Sequence, residues 1–207
     1  MRPVRLASLA CAAGIAAALT GSVAGCGEAD KASDSGAEPQ EAAASPTSEA
    51  AEAGGLCEHL TFAALTEATG EPFTVAESGG SSEVTSCVIQ TTAGSFPDIT
   101  LTKAKTGADV ETYESEIPPE SSQNLKDLGD SAYSAVRKAV DGGGPVVEIG
   151  WLVDKQMYSL RYTTSEGVEK DDAKAVVDAL VAIVRDVDAS ITAAGGDDED
   201  KDKEKED

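Results

Sequence analysis

The chain has 207 residues, and its 38 Asp and Glu side chains against 16 Lys and Arg give a net charge of −22 at neutral pH. Binding to nucleic acid or to an anionic lipid surface needs a surplus of Lys and Arg, so this balance excludes both as expected partners. The length predicts one domain with additional tails.

The amino terminus has the features of an export signal. Arg2 and Arg5 form a basic start, and the apolar run from Leu6 to Leu19 is too short to span a bilayer. The segment Val23-Ala24-Gly25-Cys26 then resembles the lipobox of bacterial lipoproteins, which is a branched apolar residue, two small residues and a cysteine.

This resemblance implies that residues 1–25 are a lipoprotein signal peptide and that Cys26 receives diacylglycerol. The expected location is the extracytoplasmic face of the cell membrane, where two acyl chains anchor stably. Two alternatives remain open. Ser22-Val23-Ala24 could be an ordinary cleavage site that releases a secreted protein, or the segment could stay uncleaved as an anchor.

Two segments of biased composition flank the predicted domain. Residues 26–55 are rich in Ala, Glu, Ser, Gly and Pro without apolar periodicity, which predicts a disordered linker after the lipidated cysteine. Residues 193–207 form an acidic tail that is also predicted to be disordered. The globular domain is expected at residues 56–192.

The domain is predicted to alternate helices with strands. Thr61 as N-cap and Gly70 as stop predict a first helix, and a short helix is expected from Ala108 to Glu116. Alternating and β-branched residues predict six strands, with tight turns at Asp141–Gly144 and Asp154–Lys155. The strands are expected at Phe73–Ala76, Val84–Thr92, Asp98–Ala104, Ser131–Val140, Pro145–Val153 and Gln156–Thr164.

The segment from Lys170 to Val187 predicts a long closing helix. Its apolar residues recur at intervals of three and four, as on one face of a helix that lies on a sheet. The order of the elements predicts an α+β fold with a mainly antiparallel sheet of about six strands, a short N-terminal helix and a long C-terminal helix.

The four cysteines divide into different roles. Cys11 lies in the predicted signal peptide and Cys26 is the predicted lipidation site, which leaves Cys57 and Cys87. An even pair in an oxidising compartment predicts a disulfide. A free catalytic thiol at either position is the less favoured alternative.

The sequence shows no set of residues typical of an enzyme, a metal site or a cofactor site. The single histidine, His59, forms a Cys-x-His pair with Cys57, which alone lacks the third and fourth ligands of a zinc site. Gly129-Asp130-Ser131 resembles the nucleophile strings of some serine hydrolases, but no histidine follows it. We therefore expect no catalysis, no cofactor and no metal.

Three aromatic residues, Trp151, Tyr158 and Tyr162, lie on the last two predicted strands. They are candidates for lining a ligand groove. The favoured interpretation is that they form core packing under the final helix.

Several of these features together resemble actinobacterial lipoproteins built on a domain of unknown function. The shared features are Cys57, Thr69-Gly70, Cys87, the string Leu128-Gly129-Asp130-Ser131-Ala132-Tyr133 and the helix from Lys170. The resemblance implies an exported lipoprotein and no established reaction. We interpret the string as a structural turn into a strand, in which Gly129 supplies backbone freedom.

The expected function is a non-catalytic binding or accessory role in the cell envelope, with an envelope protein or a wall polymer as partner. The alternative is a small-ligand carrier or sensor. An enzyme that acts on wall material through paired carboxylates, such as Glu114 with Glu116 or Asp171 with Asp172, is the least favoured hypothesis.

Overall fold

The computed structural model describes residues 49–195, and the side chains of residues 50–194. The predicted signal peptide, Cys11, the lipobox with Cys26, most of the predicted linker and the acidic tail beyond Gly195 lie outside the described residues. None of the helices in the described part of the chain combines the length and the hydropathy that crossing a bilayer requires.

Three short helical segments begin the described chain: α1 (Glu49–Glu52), a 3-10 helix (Gly55–His59) and α2 (Phe62–Thr69). The hydroxyl of Thr61 accepts a hydrogen bond from the N–H of Ala64 at the start of α2, and Gly70 ends α2 in the left-handed conformation. Both predicted helix boundaries are confirmed, since a hydroxyl satisfies a free N–H group and glycine adopts positive φ without strain.

Seven strands in residues 49–195 form one sheet in the order β1-β2-β3-β7-β6-β5-β4, and every neighbouring pair is antiparallel. A helix, α3 (Val110–Glu116), connects β3 to the far edge of the sheet. The strands are β1 (Val75–Gly80), β2 (Val84–Gln90), β3 (Asp98–Lys105), β4 (Gln123–Leu125), β5 (Ser131–Arg137), β6 (Val146–Val153) and β7 (Gln156–Thr163).

The chain closes with α4 (Lys170–Ala175) and α5 (Val177–Gly195). These two helices, the 3-10 helix and α2 pack on one face of the sheet, which we call the core face. The opposite face carries α3, which packs on β5 and β6 through a small cluster of Tyr113, Tyr133, Ala135 and Leu152. The core is therefore one-sided, and much of the second face carries partly exposed polar residues, as antiparallel sheets allow.

The predicted α+β class, the antiparallel sheet and the long C-terminal helix are confirmed, but four details differ. The predicted linker extends too far, because residues 49–52 are helical and Ala50 is fully buried. The first strand begins at Val75, and Phe73 packs into the core ahead of it.

The other two differences concern β4 and the closing helix. β4 was not expected, since it has only three residues and two of them are amides, which are poor signals for a strand. The closing helix is interrupted at Val176 and extends to Gly195, beyond the predicted domain end at Thr192. Apolar spacing continues across Val176, so the pattern alone does not reveal the interruption.

Candidate functional site

Cys57 and Cys87 form the predicted disulfide. Cys57 lies in the 3-10 helix and Cys87 at the centre of β2, and both are fully buried. The bond attaches the N-terminal helical segment to the core face of the sheet. Both thiols are consumed in it, so neither is free for the catalytic role that was the alternative.

The three candidate ligand-groove residues lie inside the core. Trp151 stacks on Tyr158 with ring centroids 5.1 Å apart, and Tyr162 meets Phe73 edge-on. Each of the three is at most 3% exposed, and the indole N–H of Trp151 donates to Asp188 of α5 at 3.0 Å. These burials fit the core-packing interpretation, since the three side chains belong to one buried cluster with residues of α5.

His59 joins the 3-10 helix to α5. Its Nδ1 atom lies 2.8 Å from the hydroxyl of Ser190, and partial burial lowers the pKa of the imidazole below its ordinary value. Burial therefore favours the neutral form of the His59 imidazole. It lies on the core-face side of the molecule, among helices.

The Leu128–Tyr133 string forms a turn into β5, as interpreted from the sequence. Gly129 has φ of 53°, and a Cβ atom there would collide with the backbone carbonyl of Leu152. The N–H of Asp130 donates to that same carbonyl at 2.7 Å. The string thus fixes where β5 begins and directs Tyr133 toward the second face of the sheet.

A buried carboxylate lies at the centre of that second face. Glu148 of β6 is 7% exposed and accepts two hydrogen bonds, from the hydroxyl of Tyr133 at 2.7 Å and from Arg137 at 2.6 Å. The Nε atom of Arg161 lies 4.0 Å from the same carboxylate. We call Tyr133, Arg137, Glu148 and Arg161 the Glu148 cluster.

Tyr133 lies flat across the sheet in this cluster because its cross-strand partner is Gly150. Burial, followed by the hydrogen bond to Glu148, raises the pKa of Tyr133, and burial also raises the pKa of Tyr113 beside it. The hydroxyl of Tyr113 is buried without a hydrogen-bond partner among the described residues. Both phenols therefore stay protonated over the physiological range.

Sequence reasoning missed the Glu148 cluster, although one signal for it was present. Glu148 is the only charged residue in the otherwise apolar strand Val146–Val153. A carboxylate at the centre of a buried strand needs a hydrogen-bonded or charged partner, so the position could have been marked. Its partners depend on strand register, which the sequence does not provide.

A second unpredicted feature is a cavity of about 390 Å³ at the edge of the sheet, which we call the edge cavity. It lies beside the start of β4, where the outer side of β5 is uncovered beneath α4 and the start of α5. Its lining includes Gln123, Ser134, Val136, Lys170, Lys174 and Asp178.

No member of the two predicted carboxylate pairs lines the edge cavity. Asp171 is bonded to Lys174 at 2.7 Å on the surface, and Glu114 accepts a hydrogen bond from Ser131. Within residues 49–195 there is no group of three His, Cys, Asp or Glu side chains placed to hold a metal ion.

No family model, no curated protein and no solved structure matches this chain.

Proposed function

We propose that this protein is a lipid-anchored lipoprotein of the extracytoplasmic membrane face, with a non-catalytic binding or accessory role in the cell envelope. The disulfide between Cys57 and Cys87 carries the proposal, because structural disulfides persist in oxidising compartments outside the cytoplasm. Its agreement with the signal-like start and with the Val23–Cys26 string supports export followed by lipidation.

The anchor is tested by substituting Cys26→Ala in full-length protein made in cells that export it. We expect wild-type protein in the membrane fraction, without residues 1–25 and with the mass of a diacylglycerol on Cys26. The variant should be released or remain as the uncleaved precursor. Cys11→Ala is the matched control, since Cys11 lies within the removed segment and should behave as wild type. Unchanged mass and membrane retention in Cys26→Ala would contradict the proposal.

A binding role is supported by the separation of the polar groups. The single histidine of the chain lies among the helices of the core face, whereas the Glu148 cluster lies on the opposite face. A base and a carboxylate on opposite sides of a sheet cannot act on one substrate atom. Within the Glu148 cluster, the carboxylate is already paired with Arg137 and accepts a hydrogen bond from Tyr133.

The uncovered sheet surface offers an area for a partner. Around Arg161 it carries hydroxyl side chains that are all at least partly exposed, namely Ser86, Thr100, Thr102 and Ser159. Hydroxyls and a guanidinium provide donors and acceptors for a protein or a wall polysaccharide, without a surplus of positive charge.

Binding is tested with a photoreactive side chain in the lipoprotein in intact cells. It is placed at Thr102 on the open sheet face or at Ser121 beside the edge cavity, with Glu67 of α2 as control. We expect a discrete adduct from Thr102 or from Ser121 and none from Glu67. Native mass spectra of the extracted protein test the alternative function, which is that of a small-ligand carrier or sensor. If a small mass is lost on denaturation and neither Thr102 nor Ser121 gives an adduct, the carrier function replaces this proposal.

A further inference from the structure

We propose that the edge cavity binds an extended peptide segment that carries a carboxylate side chain and pairs with β5 as an additional strand. This inference rests on the proposed binding function and gives it a site and a class of ligand. Three features of the cavity support it: unpaired backbone groups, a serine hydroxyl in the lining and a pair of lysines.

The backbone of β5 is only partly covered at its outer edge. β4 pairs with Ala132, Tyr133 and Ser134, so the strand continues beyond its partner through Val136 to Arg137. Three consecutive residues, Ser134 to Val136, line the cavity although their side chains alternate between the two faces. The cavity therefore runs along the edge of the strand.

The hairpin between β6 and β7 determines which backbone groups point to this edge. Asp154 and Lys155 both have positive φ and form a two-residue turn, so the flanking residues Val153 and Gln156 exchange both of their hydrogen bonds. Hydrogen-bonded and non-hydrogen-bonded pairs alternate along an antiparallel ladder, so the backbone of Glu148 does not bond β7. It points to β5 instead and exchanges hydrogen bonds with Ala135. The N–H and C=O of Val136 then face outward, and no described residue bonds them.

Ser134 provides a polar group beside these backbone atoms. It is 4% exposed, lines the cavity, and its hydroxyl has no hydrogen-bond partner among residues 49–195. At this position the hydroxyl can donate a hydrogen bond to a bound ligand or accept one from it.

Lys170 and Lys174 determine the charge that the ligand should carry. They stand four residues apart on α4, so both point toward the cavity, in a chain whose net charge is −22. Lys174 bonds Asp171, but both side chains are more than half exposed, so a ligand carboxylate can replace that contact at small cost. Asp178 at the same cavity can accept a hydrogen bond from a peptide N–H.

The size of the cavity fits this type of ligand. About 390 Å³ lies within the usual range of small-ligand sites and accommodates one or two side chains of a peptide. Strand addition to an exposed sheet edge is a recurrent mode of peptide recognition, in which backbone bonds give affinity and side-chain pockets give specificity. Val136 and Val177 supply the apolar part of the lining.

The experiment titrates the isotope-labelled mature lipoprotein in detergent micelles with capped pentapeptides while amide resonances are recorded by NMR. The probes are acetyl-Ala-Val-Glu-Val-Ala-amide and the same peptide with Gln in place of Glu. We expect the Val136 amide and its neighbours to shift with the Glu peptide, and the Gln peptide to bind about fivefold more weakly.

Variants of the cavity residues distinguish peptide binding at the edge cavity from non-specific adhesion of the peptide. Lys170→Gln with Lys174→Gln should remove the preference for Glu, and Ser134→Ala should weaken both peptides. The matched control is Lys105→Gln with Lys126→Gln, which removes the same charge at positions that do not line the cavity and should leave binding unchanged. Equal weakening by the control pair would overturn the proposal, as would a Val136 resonance that neither peptide moves.

One further comparison tests whether the chain itself occupies the edge. A variant that lacks residues 197–207 should show the same Val136 resonance as the full chain without peptide. A shift on removal of those residues would identify the acidic tail as the occupant and overturn an external peptide. If neither peptide binds although Cys26 is acylated, the peptide site is rejected and the lipoprotein proposal stands. If the peptide binds but Cys26 is not acylated, only the membrane anchor is rejected.

Discussion

The ring of Tyr133 lies directly over the Cα atom of Gly150. A Cβ atom built at Gly150 would come within 2.5 to 2.9 Å of two atoms of that ring and of its hydroxyl oxygen. The two residues are cross-strand partners on β5 and β6. Glycine is therefore required at this point, because only the missing side chain lets Tyr133 lie across the sheet and reach Glu148.

Gly150→Ala should consequently destabilise the protein by about 1–3 kcal/mol, the usual cost of overpacking a closely packed site. The measurement is the free energy of unfolding from denaturant titration. Gly79→Ala is the matched control, since Gly79 also lies in a strand but a Cβ there meets nothing within 4 Å. Equal stability of the two variants would contradict the packing of Tyr133 on Gly150.

Tyr133 and Tyr113 should respond in opposite ways to removal of their hydroxyls. Tyr133→Phe deletes a hydrogen bond to a buried carboxylate, which should cost about 1.5–3 kcal/mol. Tyr113→Phe removes a buried hydroxyl without a described partner, so it should be neutral or stabilising. Unfolding curves of both variants test the pair, and a loss of stability in Tyr113→Phe would show that its hydroxyl has a partner.

The sequence predicts those parts of the fold whose signals are local. Thr61 and Gly70 mark both ends of α2 because capping depends on neighbouring residues, and Asp154-Lys155 separates two apolar strands at the spacing of a tight turn. The closing helix is also predictable, since its apolar spacing persists over many turns.

The candidate sites were not predictable, because their members meet only through strand register. Arg137, Glu148 and Arg161 come from three different strands, and a shift of one residue in any pairing would move them to opposite faces. The edge cavity depends in addition on where β4 begins, and a three-residue segment with two amides gives no clear strand signal.

The disulfide should contribute strongly to stability. Cys57 and Cys87 are separated by 30 positions, and closing such a loop stabilises by about 3–4 kcal/mol in the chain-entropy model. The double variant Cys57→Ala, Cys87→Ala should therefore unfold at lower denaturant concentration. A reducing agent should shift the wild type toward the variant and leave the variant unchanged. Equal unfolding midpoints for oxidised wild type and variant would contradict a stabilising role.

The partial burial of His59 predicts a dependence of stability on pH. Burial lowers the pKa of His59 in the folded state below its ordinary value of 6.5, so the folded protein favours the neutral imidazole. In the unfolded chain the imidazole takes up a proton near its ordinary pKa. The unfolded state therefore binds more protons between the two values, and stability must fall as pH decreases through that window.

His59→Gln tests this dependence, since it keeps a side chain that can hydrogen-bond to Ser190 but does not titrate in this range. The free energy of unfolding is measured between pH 8 and pH 5, a range of about one and a half units on either side of 6.5. We expect wild type to lose more stability than the variant as pH falls from 8 to 5. The carboxylates titrate in both proteins, so the difference between the two curves isolates the histidine. Parallel curves would mean that His59 has the same pKa in the folded and unfolded states.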